Sequence, residues 1–201
     1  LIYADEINTE DEEEEIPDYP VNLFFTKEGY FKKITPQSLR MSGEHKLKEG
    51  DEITEHFEST NNTDLIFFSD KCQAYKSKAV DFADTKASVL GEYIPSKLSM
   101  DEDENAKYMV ATKDYGGYVF FFYENGKAAK VPLESYATKT NRKKLTGAYS
   151  DKDKLAAICY VPNDECELLI KSSSGRMLLL KAGDILAKTS RTTQGVAVIK
   201  L

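Results

Sequence analysis

The residues in this chain best suited to chemistry are its recurring cations. Lys32, Lys33 and Arg40 are followed by Lys76, Lys78 and Lys86. Next come Lys130, Lys139 and the run Arg142-Lys143-Lys144, and then Arg176, Lys181, Lys188 and Arg191. Lys46 and Lys48 belong with the first group. Each group falls at a matching place, on an apolar segment or in the loop after it. Side chains of this type, repeated along one edge, would neutralise successive phosphates of a nucleic-acid backbone and release its counterions. The plainer reading is the ordinary surface charge of a chain with 30% charged residues. The choice depends on what positions these cations.

Four copies of one pattern carry them. An apolar strand, a tight turn and a second strand recur at Leu23–Ile34, Leu65–Lys78, Val119–Val131 and Leu168–Lys181. The turns centre on Gly29, Cys72, Gly126 and Gly175, spaced 43, 54 and 49 residues apart. Ten residues beyond each turn stands a bulky apolar residue, Leu39, Phe82, Tyr136 or Ile185. About twenty residues beyond it stands a glycine, Gly50, Gly91, Gly147 or Gly195. Hairpin units at such a period predict blades or a stacked array, with the four bulky residues buried at equivalent depth. Glycine at a hairpin tip supplies positive φ, so Cys72 predicts a turn of another type.

The coarse pattern predicts strands near 21–26, 30–34, 64–69, 73–77, 107–112, 117–123, 127–131, 155–160, 166–171, 176–180 and 196–201. Short helical turns are expected at Pro36–Leu39, Ala79–Phe82, Leu133–Tyr136 and Ala182–Leu186. The stretch Ser96–Asn105, with Asp101-Glu102-Asp103-Glu104, is expected to be a solvated connector. It lacks the glycine and distal glutamate of an EF-hand loop.

Net charge is −7, but the first 18 residues hold nine acids and no Lys or Arg. Without them the balance is 27 basic to 25 acidic residues. Residues 1–18 are therefore expected to be an acidic, flexible lead-in. The other reading is that they compete with DNA for a basic surface. The folded part is expected to span 19–201. Leu1 in place of Met, and a strand-like ending at Leu201, lead us to expect a piece of a longer protein. No apolar run approaches the ~20 residues of a membrane-spanning helix, and the acidic start does not fit a signal peptide.

No catalytic or metal site is expected. Cys72, Cys159 and Cys166 form no Cys-x-x-Cys pair, and His45 and His56 lie elsewhere, so free thiols are expected rather than zinc. Gly116-Gly117 fits a bulge or turn better than a phosphate cradle. Tyr30, Tyr75, Tyr118 and Tyr136 fit strand packing.

The repeats resemble the C-terminal domain of the A subunit of bacterial type IIA topoisomerases, DNA gyrase and topoisomerase IV. Leu23-Phe24-Phe25-Thr26-Lys27-Glu28-Gly29-Tyr30 with Lys32-Lys33-Ile34-Thr35-Pro36 carries the likeness. Phe67-Phe68-Ser69-Asp70-Lys71 repeats that element. Thr189-Ser190-Arg191-Thr192-Thr193-Gln194-Gly195-Val196 resembles the family's blade-linking segment. The resemblance covers about residues 19–201. It implies an all-β fold, a β-pinwheel of four-stranded antiparallel blades that exchange strands, with double-stranded DNA wrapped on a basic rim. It further implies a cytoplasmic bacterial enzyme whose ATP and Mg sites, and whose B-type ATPase partner, lie outside this domain. Family cleavage chemistry uses a tyrosine beside an arginine, and none of the twelve tyrosines here has one.

The family's gyrase box resembles Gln-Arg-Arg-Gly-Gly-Lys-Gly. At that place this chain reads Arg40-Met41-Ser42-Gly43-Glu44-His45-Lys46-Leu47-Lys48-Glu49-Gly50. The box is degenerate, which favours topoisomerase IV-like or weakly wrapping behaviour. The competing class is a propeller-type protein-interaction scaffold. The absence of tryptophan excludes a Trp-Asp signature.

Overall fold

Each of the four expected hairpins forms. The computed structural model describes residues 15–138 and 142–200. Its strands, numbered in chain order, are β1 (Pro20–Thr26), β2 (Tyr30–Ile34), β3 (Ile53–Thr60), β4 (Asp64–Ser69) and β5 (Gln73–Lys78). Then come β6 (Glu92–Tyr93), β7 (Ala106–Thr112), β8 (Tyr118–Tyr123), β9 (Lys127–Pro132) and β10 (Lys144–Thr146). The last are β11 (Leu155–Val161), β12 (Glu167–Lys171), β13 (Met177–Lys181) and β14 (Val196–Ala197).

Three antiparallel four-stranded sheets run β3-β1-β2-β6, β10-β5-β4-β7 and β11-β8-β9-β14, and β12-β13 form a two-stranded sheet. The fourth strand of each complete blade comes from the chain beyond the next hairpin. Thus β6 follows the second hairpin yet pairs with β2. Likewise β10 pairs with β5, and β14 with β9. Gly91 and Gly195 show why glycine precedes two of these exchanges. Their φ values are +88° and +77°, and a Cβ would lie 2.3 Å from the Phe31 carbonyl oxygen and 2.1 Å from that of Ala128. Only a residue without a side chain can pass so close to the preceding blade.

Adjacent residues on a strand point to opposite faces. In β4 and β8 both faces are buried, because each blade is packed on two sides. Leu65 and Phe67 pack with Leu23, Phe25 and Phe31 of the blade before. Ile66 and Phe68 pack with Val119, Phe121 and Tyr136 of the blade after. Phe120 and Ala128 meet Ile185, Leu168 and Leu180 in the third seam. This explains the continuous apolar runs of β4 and β8. In β12 and β13 one face is covered and the other is not, with Leu169, Met177 and Leu179 exposed.

The four helical turns fall at Pro36–Met41, Ala79–Asp81, Leu133–Tyr136 and Ala182–Asp184, as expected. Phe82, Tyr136 and Ile185 are buried in the seams. Leu39 departs from the expected equivalence. It is only partly buried and packs against Phe24, Ile34 and Ala87. Among the described residues no blade precedes the first, so this turn closes an end of the array instead of wedging into a seam.

The turn at Cys72 differs in its hydrogen bond and not in its handedness: the N–H of Gly29, Gly126 and Gly175 donates to the carbonyl three residues back, whereas that of Cys72 donates to the Tyr149 hydroxyl. The φ of Cys72 is +56°, in the same left-handed region as Gly29, Gly126 and Gly175. A side chain there costs about 1–2 kcal/mol, and the Ala148 N–H and Tyr149 hydroxyl hold the residue on both sides.

The connector 96–105 is not solvated throughout. Glu104 is 3% exposed. Its carboxylate accepts from the Tyr75 hydroxyl (2.7 Å), Gln73 Nε2 (3.0 Å), the Asp101 N–H (2.8 Å) and the Ser69 hydroxyl. The cluster that could suggest calcium is thus partly a buried clasp. Among the described residues no group of His, Cys, Asp and Glu could hold a metal ion. Residues 1–14, most of the acidic lead-in, lie outside the described residues.

Candidate nucleic-acid interface

The strand lysines do not reach a rim. Lys32, Lys33 and Lys130 are 1%, 3% and 3% exposed, a correction to their assignment as DNA-contacting residues. Lys33 and Lys130 each stand four residues after their turn, and both ammonium groups cross the seam to the next blade. Lys33 Nζ donates to Asn61 Oδ1 (2.7 Å) and the Ala79 carbonyl (3.0 Å), with Asp84 at 3.3 Å. Lys130 Nζ donates to Asp164 Oδ1 (2.5 Å) and the carbonyls of Ala182 (3.0 Å) and Ile185 (3.1 Å). Ala79 and Ala182 open equivalent helical turns. Asn61 and Asp164 each stand three residues before the first strand of their hairpin. The two sites are one device repeated.

Lys76 is the corresponding residue in the second blade. The matching partner position holds Tyr115, and Lys76 Nζ lies 5.2 Å from its ring centroid and 3.0 Å from Thr138 Oγ1. Burial pulls the Lys76 ammonium below its ordinary pKa, partly offset by Asp64. In the fourth blade the position is Leu179, with no cation. A buried amine surrounded by acceptors satisfies the chain's own carbonyls and has no donor left for a phosphate. Lys32, one residue earlier, closes onto its own blade's loop. Its Nζ donates to the carbonyls of Lys46 (2.8 Å) and Ala87 (2.9 Å) and lies 3.3 Å from His45 Nδ1.

The loop cations behave differently. Arg40, Lys46, Lys48, Lys78, Lys86, Arg142, Lys143, Arg176, Lys181 and Lys188 are exposed; Lys144 and Arg191 are half-buried. Lys139 lies outside the described residues. Backbone hydrogen bonds lay several of these loops along a neighbouring strand or loop. The Lys46 N–H donates to the Ala87 carbonyl, that of Lys76 to Lys143, and that of Lys188 to Lys130.

Five of the exposed or half-exposed cations have local duties. Lys48 Nζ lies 5.4 Å from the centroid of the Tyr30 ring. Lys144 Nζ lies 3.0 Å from both Asp101 carboxylate oxygens. Lys181 pairs with Glu165 at 3.3 Å. Arg176 donates to the Lys200 carbonyl, and Arg191 to that of Ser135, which ties its loop to the third blade.

Lys78, Arg142 and Lys143 converge. With Lys76, Thr138, Ser77, Asp64 and Asp81 they line a groove of 470 Å³ between the second and third repeats. Among the described residues none of the three has a carboxylate partner. The groove's own carboxylates are engaged. Asp64 accepts from the Tyr115 hydroxyl at 2.8 Å, and Asp81 from the Lys78 N–H at 3.0 Å. The geometry leaves three such cations around a cleft, suited to successive phosphate oxygens.

The sequence showed these loop cations but not which lysines were already used. Asn61 and Asp164 were missed as partners. Their shared position three residues before a strand was the available signal.

The chain is similar to A subunits of DNA gyrase and of topoisomerase IV. It is 26% identical over 198 residues to the A subunit of DNA gyrase from Nocardioides sp., covering 94% of this chain and 22% of that protein. It is 25% identical over 197 residues to the A subunit of DNA topoisomerase 4 from Staphylococcus aureus, covering 95% and 24%. The chain therefore spans about a quarter of the length of these relatives. A crystal structure of the C-terminal domain of DNA topoisomerase IV matches with a TM-score of 0.74 at 21% identity, over 90% of this chain and 57% of that one. The structure of the DNA gyrase A C-terminal domain gives 0.65 at 18%, over 92% and 63%. The fold is thus a β-pinwheel. No protein-family model matches the chain, and no helix among the described residues is long and apolar enough to cross a membrane.

Proposed function

We propose that this chain is the DNA-binding and DNA-bending module of the A subunit of a type IIA topoisomerase. The observation that carries the reading is the groove where Lys78, Arg142 and Lys143, from two successive repeats, meet with no carboxylate ion-pair partner among the described residues. Lys46, Lys48, Lys86 and Lys188, in the corresponding loops, extend the path. A duplex following such loops from blade to blade would bend around the array, held by its backbone and not read by sequence.

The module carries no cleavage chemistry in this reading. Strand passage, ATP hydrolysis and Mg binding belong to other parts of a cytoplasmic enzyme and to its B-type ATPase partner. The segment Arg40–Gly50 has Glu44 and Glu49 where the gyrase box has basic or small residues. With Lys32 and Ala87 holding that loop to its own blade, the assignment is to topoisomerase IV-like or weakly wrapping behaviour.

Titration of a labelled duplex at several salt concentrations tests the first part. Three phosphate contacts in the groove alone give a log–log slope of about −2.7, with little dependence on sequence. Salt-independent binding, or none, would remove DNA from the reading. For the second part, the full enzyme with ATP is expected to relax and decatenate DNA without introducing negative supercoils.

A further inference from the structure

The first blade covers its own outward face. Phe24 and Ile34 cluster with Ala87 away from the seam, Lys32 stands opposite Phe24 on the β1–β2 ladder, and all are buried. The cover is the segment after the helical turn Pro36–Met41. Its two ends are fixed. The Ser42 N–H donates to the Ser38 carbonyl, and the Asp51 N–H to that of Lys48. Asp51 Oδ1 also accepts from the Glu28 N–H at 3.0 Å.

Between these ties the segment is held through His45 and Lys46. The Lys46 N–H donates to the Ala87 carbonyl at 2.8 Å, and its carbonyl accepts from Lys32 Nζ. The His45 ring lies 4.5 Å from that of Phe24, and its Nδ1 lies 3.3 Å from Lys32 Nζ. An ammonium only donates, so Nδ1 is the acceptor and the ring proton sits on Nε2. This contact exists only while the imidazole is neutral. A second proton would set two donors, both positively charged, 3.3 Å apart.

Nothing nearby offsets that second charge. Lys32 faces the ring from β2 and His56 from β3, where the His56 ring stacks on Phe24 at 4.3 Å. Phe24 of β1 and the Ala87 carbonyl bring no charge, and Asp51 acts on Lys32. Glu44 and Lys46 flank His45 on its own segment, and Lys86 adjoins Ala87; all three are exposed. Among the described residues no carboxylate pairs with His45. Burial first, then Lys32 and His56, hold the imidazole below its ordinary 6.5.

We infer that His45 is a proton-operated latch: neutral, it holds residues 43–47 over the first blade, and protonated, it releases them and frees the Lys32 ammonium for an outside anion. The latch stands on its own contacts, and its consequence for DNA rests on the reading above. The open segment takes up a proton that the closed one resists. The open form therefore gains about tenfold per pH unit as pH falls below 6.5, until the closed ring also protonates.

Two measurements test it, each on the native chain, His45→Gln and His45→Ala. The Gln amide oxygen can accept from Lys32 and takes no proton, whereas Ala offers no acceptor. The first uses no DNA. Hydrogen exchange of the Lys46 amide, bonded to Ala87, reports the latch. The native chain should lose protection as pH falls below 6.5, H45Q should keep it, and H45A should lack it even at about pH 7.5. Native protection that ignores pH, or an H45Q profile matching the native one, would overturn the proposal.

The second is duplex binding at several salt concentrations near pH 7.5. H45A should steepen the log–log slope by about 0.9, one further contact, as Lys32 becomes free. H45Q should match the native chain. Lost protection in H45A with no DNA affinity in any variant would sink the DNA reading and leave the latch standing. DNA affinity with native-like protection in H45A would sink the latch and leave the DNA reading standing.

Discussion

Lys33 and Lys130 end inside the seams between blades, whereas Lys78, Arg142 and Lys143 end in water beside a groove. The five differ little in type and spacing along the sequence. What separates them is the number of acceptors within reach of each head group. Lys130 Nζ has a carboxylate and two carbonyls within 3.1 Å; Lys143, among the described residues, has no ion-pair partner. A cation surrounded by acceptors helps hold two blades together. A cation without them is available to an outside anion.

Removal of a seam lysine should give the largest effect. Lys130→Ala empties a buried site and strands the Ala182 and Ile185 carbonyls, while the half-exposed Asp164 carboxylate turns to water. Breaking such a site by removing one partner costs about 3 kcal/mol, or roughly 6–12 °C for a chain of this size. Urea denaturation should show the loss at unchanged slope. Duplex affinity of the folded fraction should not move, and a matching loss of affinity would erase the distinction between seam and rim. Lys33→Ala should behave in the same way, since its contacts repeat those of Lys130.

A carboxyl away from the seams lines a pocket with Lys27, Tyr108 and Leu155. Glu55 is half-buried on β3, and burial pushes its carboxyl up from 4.5 to about 7, opposed only by the Thr54 hydroxyl at 2.5 Å. Between pH 4.5 and 7 the folded chain binds more protons than the unfolded one, so this residue's contribution to stability falls as pH rises through that window. Glu55→Gln should flatten the curve there and make the protein more stable than the native chain at pH 8. A variant less stable than native at pH 8 would mean that the carboxylate has a partner that the geometry does not show.

The repeat itself was legible in the sequence because its landmarks answer to backbone demands. Glycines 91 and 195 are required by close approach, and the helical turns keep their distance from the hairpin tips. The polar strand β3 and the short β6 and β10 were not legible. Ile53–Thr60 alternates exposed and half-buried residues and lacks the apolar run that marks β4 and β8. Strands of two or three residues, as in β6 and β10, owe their conformation to the neighbouring blade. The fate of the lysines was illegible for a related reason. Position fixed where Lys33 and Lys130 leave the strand, but the acceptors that bury them come from the next repeat. At Cys72 the hairpin imposes the left-handed φ whatever residue stands there, and only the hydrogen bond changes.

On the rim, Arg142→Ala with Lys143→Ala should lower the salt slope of DNA binding by about 1.8. Stability should stay within ~0.5 kcal/mol, as expected for exposed side chains. Neutralising Lys152 and Lys154 should matter less, since Lys154 is already paired with Glu124 at 2.8 Å. Equal losses from both double variants would replace a defined path with diffuse attraction.

Lys144 is the borderline case and should give the smallest effect. It follows the two groove cations directly in sequence, and counting charges would assign it the same slope of about 0.9. Its Nζ, however, lies 3.0 Å from both oxygens of Asp101. The Gln73 hydrogen bond, and after it the Lys144 pairing, hold the Asp101 carboxyl below its ordinary pKa. A phosphate must displace this carboxylate before it can use Lys144, so Lys144→Ala should change the slope by well under one unit. Asp101→Asn then provides the decisive comparison. With its partner neutralised, Lys144 joins Arg142 and Lys143, and the slope should steepen toward one further contact. If Asp101→Asn leaves the slope unchanged, Lys144 faces away from the path, and the rim ends at Lys143.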